Sequence, residues 1–328
     1  MKVLITGASG FVGQSLASSL LSQNHSVILT DLAAPPIPSS RSPSAANAVS
    51  LAADLAADLA AEPFPASAAL LPADLDAVYV LHGIMSSGAE ADLALGYRVN
   101  LLSTLRLLDA LRARCAPTVR VIYASSCAAY GAPLPALPPS ETTLPTPEGS
   151  YGTQKLMVEL LLNDYSRRGL LTAFSVRLPS ITVRAGAPTQ AASSWMSGIV
   201  REPLQGRESV LPVLDDGFRC WVCSPRTLVR NLEKCLVLPP DCMEPHIRQV
   251  LLPGVTVSVA EMLAALREVG GDEAVRLVRR EKPTAAAARL FESWPAAFDV
   301  SRALGIGFEP AGTFLEAVQD FAAGLEAK

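Results

Sequence analysis

Short apolar runs rich in β-branched residues recur along the first 180 positions, and stretches with helical spacing lie between them. Lys2-Val3-Leu4-Ile5-Thr6 reads as a buried strand, 15–21 as a helix, and Ser26–Thr30 as a second strand ending in Asp31. Val49–Leu51, Ala77–Leu81, Val119–Ala124 and Ala173–Leu178 are four more strand candidates. Residues 90–114 and 149–168 read as long helices. Strands and helices alternating at this spacing predict an α/β fold around a parallel, doubly wound sheet.

Two early segments lack this order. Residues 33–48 are Pro/Ser/Ala-rich and read as a surface loop, and 54–73 are Ala/Leu/Pro-rich with room for a helical turn or two. Beyond residue 180 the pieces shorten. Helices are expected at 191–202, 225–235, 258–268, 283–291 and 311–326, with strands at 209–213, 218–223 and 275–279. The expected division is a larger domain over 1–180 and a smaller lobe over 181–328, with segments of the latter returning to the sheet; the motifs that follow make the first an NAD-binding domain and the second a substrate lobe.

The first strand runs straight into Gly7-Ala8-Ser9-Gly10-Phe11-Val12-Gly13. Glycines in this position allow a tight turn and close backbone approach to a pyrophosphate, beside free N–H groups at a helix N-terminus. Gly7, Ser9, Gly10, Phe11, Val12 and Gly13 are therefore candidate cofactor contacts. Asp31 ends the second strand, where a carboxylate accepts from both ribose hydroxyls and repels a 2′-phosphate. No Lys or Arg follows before Arg41, so the pattern favours NAD over NADP. A glycine turn that binds nothing is the alternative.

Composition narrows the partners. The chain has 328 residues, half of them hydrophobic, and a formal net charge of −4. A Lys/Arg run is absent, which argues against nucleic acid. The start has no apolar core followed by a small-residue cleavage site, and no stretch reaches the ~18 apolar residues of a membrane span. The six scattered cysteines fit a reducing, cytoplasmic compartment. Cys220-Trp-Val-Cys223 has metal-type spacing, but it lies in a strand-like run that would point the two thiols to opposite faces. His25, His82 and His246 are far apart, and no metal site is expected. His82, with Gly83 behind it, follows a strand and could approach the cofactor; a structural role is its other reading.

Tyr151 and Lys155 lie four apart on one helix face, about 25 residues after Ser125-Ser126. A nearby ammonium favours a phenolate, which can take the proton of a substrate hydroxyl while a serine holds the oxygen. Tyr151, Lys155 and Ser126 are the candidate catalytic set. With the glycine turn, they would gather at the carboxyl ends of the strands, where such sheets bind ligands.

These motifs together make the chain resemble the extended short-chain dehydrogenase/reductases, the group that includes nucleotide-sugar epimerases and dehydratases. TGASGFVG at 6–13, Asp31, Asp54-Leu55, Asn100, Ser125-Ser126-x-Ala128-x-Tyr130-Gly131, Tyr151/Lys155 and Arg177-Leu178-Pro179 carry the likeness. It implies a Rossmann-type sheet with a smaller C-terminal substrate lobe, and bound NAD. It implies Tyr151 as acid/base and Lys155 as the residue that lowers its pKa and holds the nicotinamide ribose. Ser126 would polarise the substrate oxygen, Asp54 and Leu55 would meet the adenine, and Leu178, Pro179 and Ser180 would flank the nicotinamide. Asn100 would support a helix or a water relay.

Within the group the likeness runs to the branch that oxidises four-carbon sugar acids. Residues 89–100, 150–155, 162–169, 177–180, 192–194 and 201–204 carry it, while the 33–48 insert and Met85 depart from it. It implies NAD-dependent oxidation, at C2, of a tetronate of the D-erythronate kind. A sugar acid needs a carboxylate clamp, for which Arg184 or Arg219 is suited, with Ser87, Ser126, Ser193 or Ser194 for hydroxyls. A nucleotide-sugar epimerase or dehydratase with tightly held NAD and an NAD-binding regulator without turnover are the alternatives. The second apolar faces of helices 90–114 and 149–168 suggest a homodimer.

Overall fold

The computed structural model describes residues 1–38, 47–57, 69–186 and 191–326. Most of the 33–48 loop and of the 54–73 segment therefore lies outside the described residues. In chain order the elements are β1 (Lys2–Thr6), α1 (Phe11–Ser22), β2 (Ser26–Asp31), β3 (Ala48–Ala52), β4 (Ala77–Val80), α2 (Ser86–Ala91), α3 (Leu93–Gly96) and α4 (Ser103–Arg114). Then come β5 (Arg120–Ser126), α5 (Ser150–Arg167), β6 (Thr172–Leu178), β7 (Ser180–Ile181), α6 (Ser194–Arg201), β8 (Ser209–Leu211), β9 (Arg219–Cys223), α7 (Pro225–Val237) and β10 (Gln249–Leu251). The chain ends with β11 (Val255–Ser258), α8 (Val259–Arg276), β12 (Val278–Arg280), α9 (Ala285–Glu292), α10 (Ser301–Gly305) and α11 (Phe314–Glu326).

The chain forms two units. The first takes Met1–Ala129, Gly149–Arg177 and Asn231–Val250; the second takes Tyr130–Glu148, Leu178–Arg230 and Leu251–Lys328. The expected cut at residue 180 thus gives way to an interleaved division. The loop 130–148 joins the second unit, and 231–250 returns to the first.

The first unit is built on a seven-stranded sheet of order β10-β6-β5-β4-β1-β2-β3. Its pairings β1–β2, β1–β4, β2–β3 and β4–β5 are parallel. Crossing from β3 to β4 moves the chain to the other side of β1, which creates a switch point at the carboxyl ends of β1 and β4. Leu4, Val78, Val80, Val121 and Tyr123 of the sheet pack with Leu107, Leu108 and Leu111 of α4 and Val158 and Leu162 of α5. Each fully buried aliphatic side chain contributes about 1.5–3 kcal/mol.

The helix expected over 90–114 is corrected. Asp92 adopts an extended backbone and caps α3 by accepting from the Leu95 N–H at 2.9 Å. A π-helical turn, Tyr97–Leu102, then leads into α4. The leucine spacing runs across these breaks and hides them. β7, β10 and β11, of two to four residues, escaped the sequence pattern because they are too short to show a period.

The second unit holds a three-stranded sheet of order β11-β9-β7 and a parallel β8–β12 pair. Trp195, Met196, Ile199 and Val200 of α6 pack with Val222, Val257, Met262, Leu266, Phe291, Phe314 and Val318. α8 continues past the expected end at 268 to Arg276, broken at Gly271 (φ 72°), so the strand expected at 275–279 begins only at Val278, as β12.

All six cysteines are free thiols. Burial pushes Cys220 and Cys223 up to about 12, so neither is a ready thiolate. Among the described residues no group of three His, Cys, Asp or Glu side chains could hold a metal ion, and no helix is long and apolar enough to cross a membrane.

Gly7 has φ 65°, and a Cβ there would stand 2.6 Å from the His82 backbone N. Strain and overlap therefore act together. Gly7→Ala is expected to lose ~2–4 kcal/mol of stability in chemical denaturation. A variant as stable as the parent would show that the turn can relax.

Candidate active site

The turn after β1 is shaped by what its glycines lack. Gly7 accepts from the Gly10 N–H at 3.1 Å, and a Cβ on Gly13 would lie 2.7 Å from the Ala8 Cα. Gly10 is the N-cap of α1 and provides no side chain to the first-turn N–H groups. The positive end of a twelve-residue helix thus opens beside a groove kept bare of side chains. Asp31, at the end of β2, accepts from the Ser9 N–H at 3.0 Å and the Leu32 N–H at 2.8 Å, which holds its carboxylate beside the turn. This donor set and acid fit a dinucleotide: the Ser9–Gly13 backbone for the pyrophosphate and Asp31 for the ribose. Asp54 accepts from the Ala56 N–H at 2.9 Å. The Leu55 side chain belongs to the core cluster, so only its backbone is left to meet an adenine.

The loop after β4 crosses close to Gly7. His82 joins the Thr6 hydroxyl through Nδ1 at 2.8 Å and the Ser103 hydroxyl through Nε2 at 2.9 Å. Both ring nitrogens are occupied, so the side chain ties β1 to α4 and only its backbone lies by the turn. Burial, helped by the Lys155 charge, lowers the imidazole to about 4 and keeps it neutral. Next to it, the buried Asn100 carboxamide accepts from the Ile84 N–H (2.7 Å) and donates to the Ile84 carbonyl (3.1 Å) and to Gln154 Oε1 (2.6 Å). Asn100 sits in the π-helical turn, which aims its side chain at this loop and at α5.

Ser126, Tyr151 and Lys155 do come together. Tyr151 is hydrogen-bonded to Ser126, whose Oγ also accepts from the Ala128 N–H at 3.1 Å. The Lys155 ammonium donates to the Ala124 carbonyl at 2.8 Å and stands 4.7 Å from the Tyr123 ring centre and 5.4 Å from that of Tyr151. Burial lowers Lys155 to about 8, against the opposing pull of Glu159. Burial also raises the Tyr151 phenol to about 12, with the Ser126 hydrogen bond pulling the other way. That corrects the expectation of a depressed tyrosine: the lysine directs its proton to a carbonyl, and desolvation of the phenolate outweighs what remains.

Three acceptors escaped the sequence reading. Glu90 on α2 accepts from the Ser150 N–H at 2.9 Å and so caps the helix that carries Tyr151. Gln154 receives Asn100. Glu159 is fully buried and accepts from Ser125 (2.5 Å) and Arg177 (2.9 and 2.6 Å). The available signal was a carboxylate between Val158 and Leu162, on a face that periodicity assigns to the core.

Ser87 lies exposed on α2 in the first unit. Other expected site residues belong to the second unit. Leu178 ends β6 and Pro179 links it to Ser180, which pairs with Val222. Arg184 is half-buried, its N–H donates to Ser197 Oγ at 3.1 Å, and its carbonyl accepts from Arg201 Nη1 at 3.1 Å. Burial and the Arg201 charge lower its guanidinium. Ser193 is the N-cap residue of α6. Arg219 is exposed at the start of β9, where its charge helps to lower Glu261.

The model of the NAD dependent epimerase/dehydratase family matches residues 3–218. The chain belongs to that family. It is 38% identical over 326 residues to the D-erythronate dehydrogenase of Haemophilus influenzae, covering 98% of both chains. It is 37% identical over 332 residues to the D-erythronate dehydrogenase of Cupriavidus necator, again covering 98% of each. Among solved structures it is similar to the nucleoside-diphosphate-sugar epimerase of Agrobacterium tumefaciens, with TM-score 0.85, 38% identity, and 97% and 92% of the two chains covered. The bare turn and Asp31 have the chemistry that the cofactor of such a family calls for.

His82 makes the fold acid-sensitive. Its folded pKa lies below the ordinary 6.5, so the unfolded chain takes up a proton first as pH falls. Up to about 3 kcal/mol of stability is present above pH ~6.5 and lost towards pH ~4. Denaturant titrations at those two pH values should show this loss in the parent and a smaller one in His82→Gln. Equal losses would remove His82 as the cause.

Proposed function

We propose that the chain is an NAD-dependent dehydrogenase that oxidises the C2 hydroxyl of a short sugar acid of the D-erythronate kind to the 2-keto acid. The observation that carries the reading is the Tyr151 phenol bonded to Ser126 with the Lys155 ammonium beside its ring. The names of relatives aligned over the whole length supply the substrate class. NAD, when bound, supplies the hydride acceptor. Tyr151 takes the proton of the substrate hydroxyl, Ser126 holds that oxygen, and the Lys155 charge stabilises the phenolate as it forms. Gly7–Gly13, Asp31, Asp54, the 82–83 backbone and Leu178–Ser180 are assigned to NAD. Ser87, Arg184, Ser193 and Arg219 are assigned to the acid.

The solved relative named a nucleoside-diphosphate-sugar epimerase keeps a second reading in play, since an epimerase starts with the same proton and hydride removal. NADH distinguishes the two. Incubation of the protein with NAD and D-erythronate should raise absorbance at the NADH band, far less with NADP, and faster as pH increases and Tyr151 gives up its proton. Tyr151→Phe should lower kcat by ~10²–10⁴ while leaving NAD affinity within a few-fold. Silence on four- to six-carbon sugar acids, with conversion of a nucleotide sugar and no net NADH, would replace the dehydrogenase reading by the epimerase one.

The free thiols, three of them buried, suit a reducing compartment, and we place the protein in the cytoplasm. We also assign it a homodimer through the 90–114 segment and α5. Leu102, Met157 and Leu160 are 40%, 38% and 59% exposed there, a second apolar face beyond the one on the sheet. Met157→Glu with Leu160→Glu should turn a dimer into a monomer in sedimentation equilibrium. A parent protein that sediments as a monomer would refute the assembly.

A further inference from the structure

Glu159 is the least expected charge in the first unit. It is 0% exposed and lies among Val158, Leu162 and the strands of the core. Its Oε1 accepts from Ser125 Oγ at 2.5 Å and from Arg177 Nε at 2.9 Å; its Oε2 accepts from Arg177 Nη2 at 2.6 Å. A two-pronged guanidinium fixes the plane of a carboxylate, and the serine takes a lone pair that remains. Buried ion pairs are a poor source of net stability, because apolar residues of similar volume often do as well. What this pair supplies is orientation and charge.

The three segments it joins are those that bear the reactive side chains. Ser125 adjoins Ser126 at the end of β5. Glu159 itself is one helical turn beyond Lys155 and two beyond Tyr151 on α5. Arg177 lies on β6, on the far side of β5 from β4.

The groups around the Lys155 ammonium can be named element by element. From β5 come the Ala124 carbonyl and the Tyr123 ring; from α5, Tyr151 and Glu159. From the loop after β4 comes His82, whose positive form Lys155 disfavours. The Asn100 carboxamide approaches Gly83, near Lys155 Nζ. Glu159 is the one carboxylate in this set.

We infer that Glu159 is a positioning residue for the reaction: held by Arg177 and Ser125, it keeps Lys155 in its ammonium form and locks the end of β5 that presents Ser126. The inference rests on the proposed roles of Lys155 and Tyr151, and it adds a residue that touches neither substrate nor cofactor. Without the carboxylate, Lys155 keeps its desolvation and loses its counter-charge, so its proton leaves at lower pH. The phenolate of Tyr151 then forms beside a neutral amine.

Lysine occurs only at positions 2, 155, 234, 282 and 328, which permits a direct test. Protein labelled with carbon-13 lysine is titrated by NMR, with Lys155→Met assigning the Lys155 signal. Glu159→Gln is expected to lower the Lys155 midpoint by about one pH unit or more, and Glu159→Asp to restore part of it. In the same variants kcat for D-erythronate near neutral pH should fall ~10-fold or more in Glu159→Gln, with KM for NAD nearly unchanged. If Glu159→Gln does not fold, Glu159→Gln with Arg177→Met removes both buried charges and takes its place, with a fall in the same direction but smaller, because a cation leaves with the carboxylate.

An unchanged Lys155 midpoint in the folded variant overturns the inference, whatever happens to its melting temperature. The titration needs no substrate, so the two proposals fail separately. If D-erythronate is not oxidised but the midpoint falls, the substrate reading is lost and the role of Glu159 stands. If Tyr151→Phe is inactive and the midpoint holds, Glu159 is only structural.

Discussion

A lysine ammonium that is 4% exposed must be surrounded by groups that accept its charge, and the heart of the first unit is arranged around that demand. A strand-end carbonyl takes one proton at 2.8 Å, two aromatic rings face the charge, and a buried carboxylate sits one helical turn away. None of these comes from a flexible loop. β5 supplies the carbonyl, one ring and, three residues after Tyr123, the serine. α5 supplies the other ring and the carboxylate. The lysine therefore fixes the register of α5 on β5, and Tyr151 meets Ser126 as a consequence.

The glycine turn serves the same geometry from the other side. Gly7 lets the β1 turn pass within contact of the His82 backbone, and His82 in turn bonds Thr6 and Ser103. The loop after β4 is thereby held between the glycine turn and the lysine. A side chain at Gly83 would meet Asn100 Oδ1 at 2.9 Å and come within 3.7 Å of Lys155 Nζ. The glycine turn and the cluster of Ser126, Tyr151 and Lys155 are thus two ends of one packed arrangement.

This explains which features were legible in the sequence. Five of the strands, β1, β2, β4, β5 and β6, announce themselves because a parallel strand buried on both faces is a continuous apolar run, while the edge strand β3 is shorter in apolar residues and half exposed. The glycines, Asp31 and the Tyr151/Lys155 spacing are local patterns, readable within a few residues. The break at Asp92 and the π-helical turn were hidden because leucines continue at helical spacing across both. Glu159 was missed for another reason: its partners are 18 and 34 residues away, and no local pattern records a pairing across three elements. The sign of the Tyr151 shift was misjudged because an ammonium four residues away is visible in the sequence, whereas the burial that opposes it is a property of the fold.

The proposed proton-transfer set cannot by itself distinguish a dehydrogenase from an epimerase. Both remove a proton and a hydride from a carbinol, and Ser126, Tyr151 and Lys155 serve either equally. The difference lies in whether the hydride is handed back to the same molecule, which depends on how the rest of the substrate is held. For a sugar acid that means a carboxylate, and the second unit has a half-buried arginine, Arg184, whose guanidinium pKa is lowered by burial and by Arg201. Arg201 in turn donates through Nε and Nη2 to Glu202 Oε1 at 3.0 and 2.6 Å, so an acid already faces its charge. Arg219 is exposed, and its charge helps to lower Glu261. The distinction between the two chemistries therefore turns on how the substrate is gripped, not on Ser126, Tyr151 and Lys155.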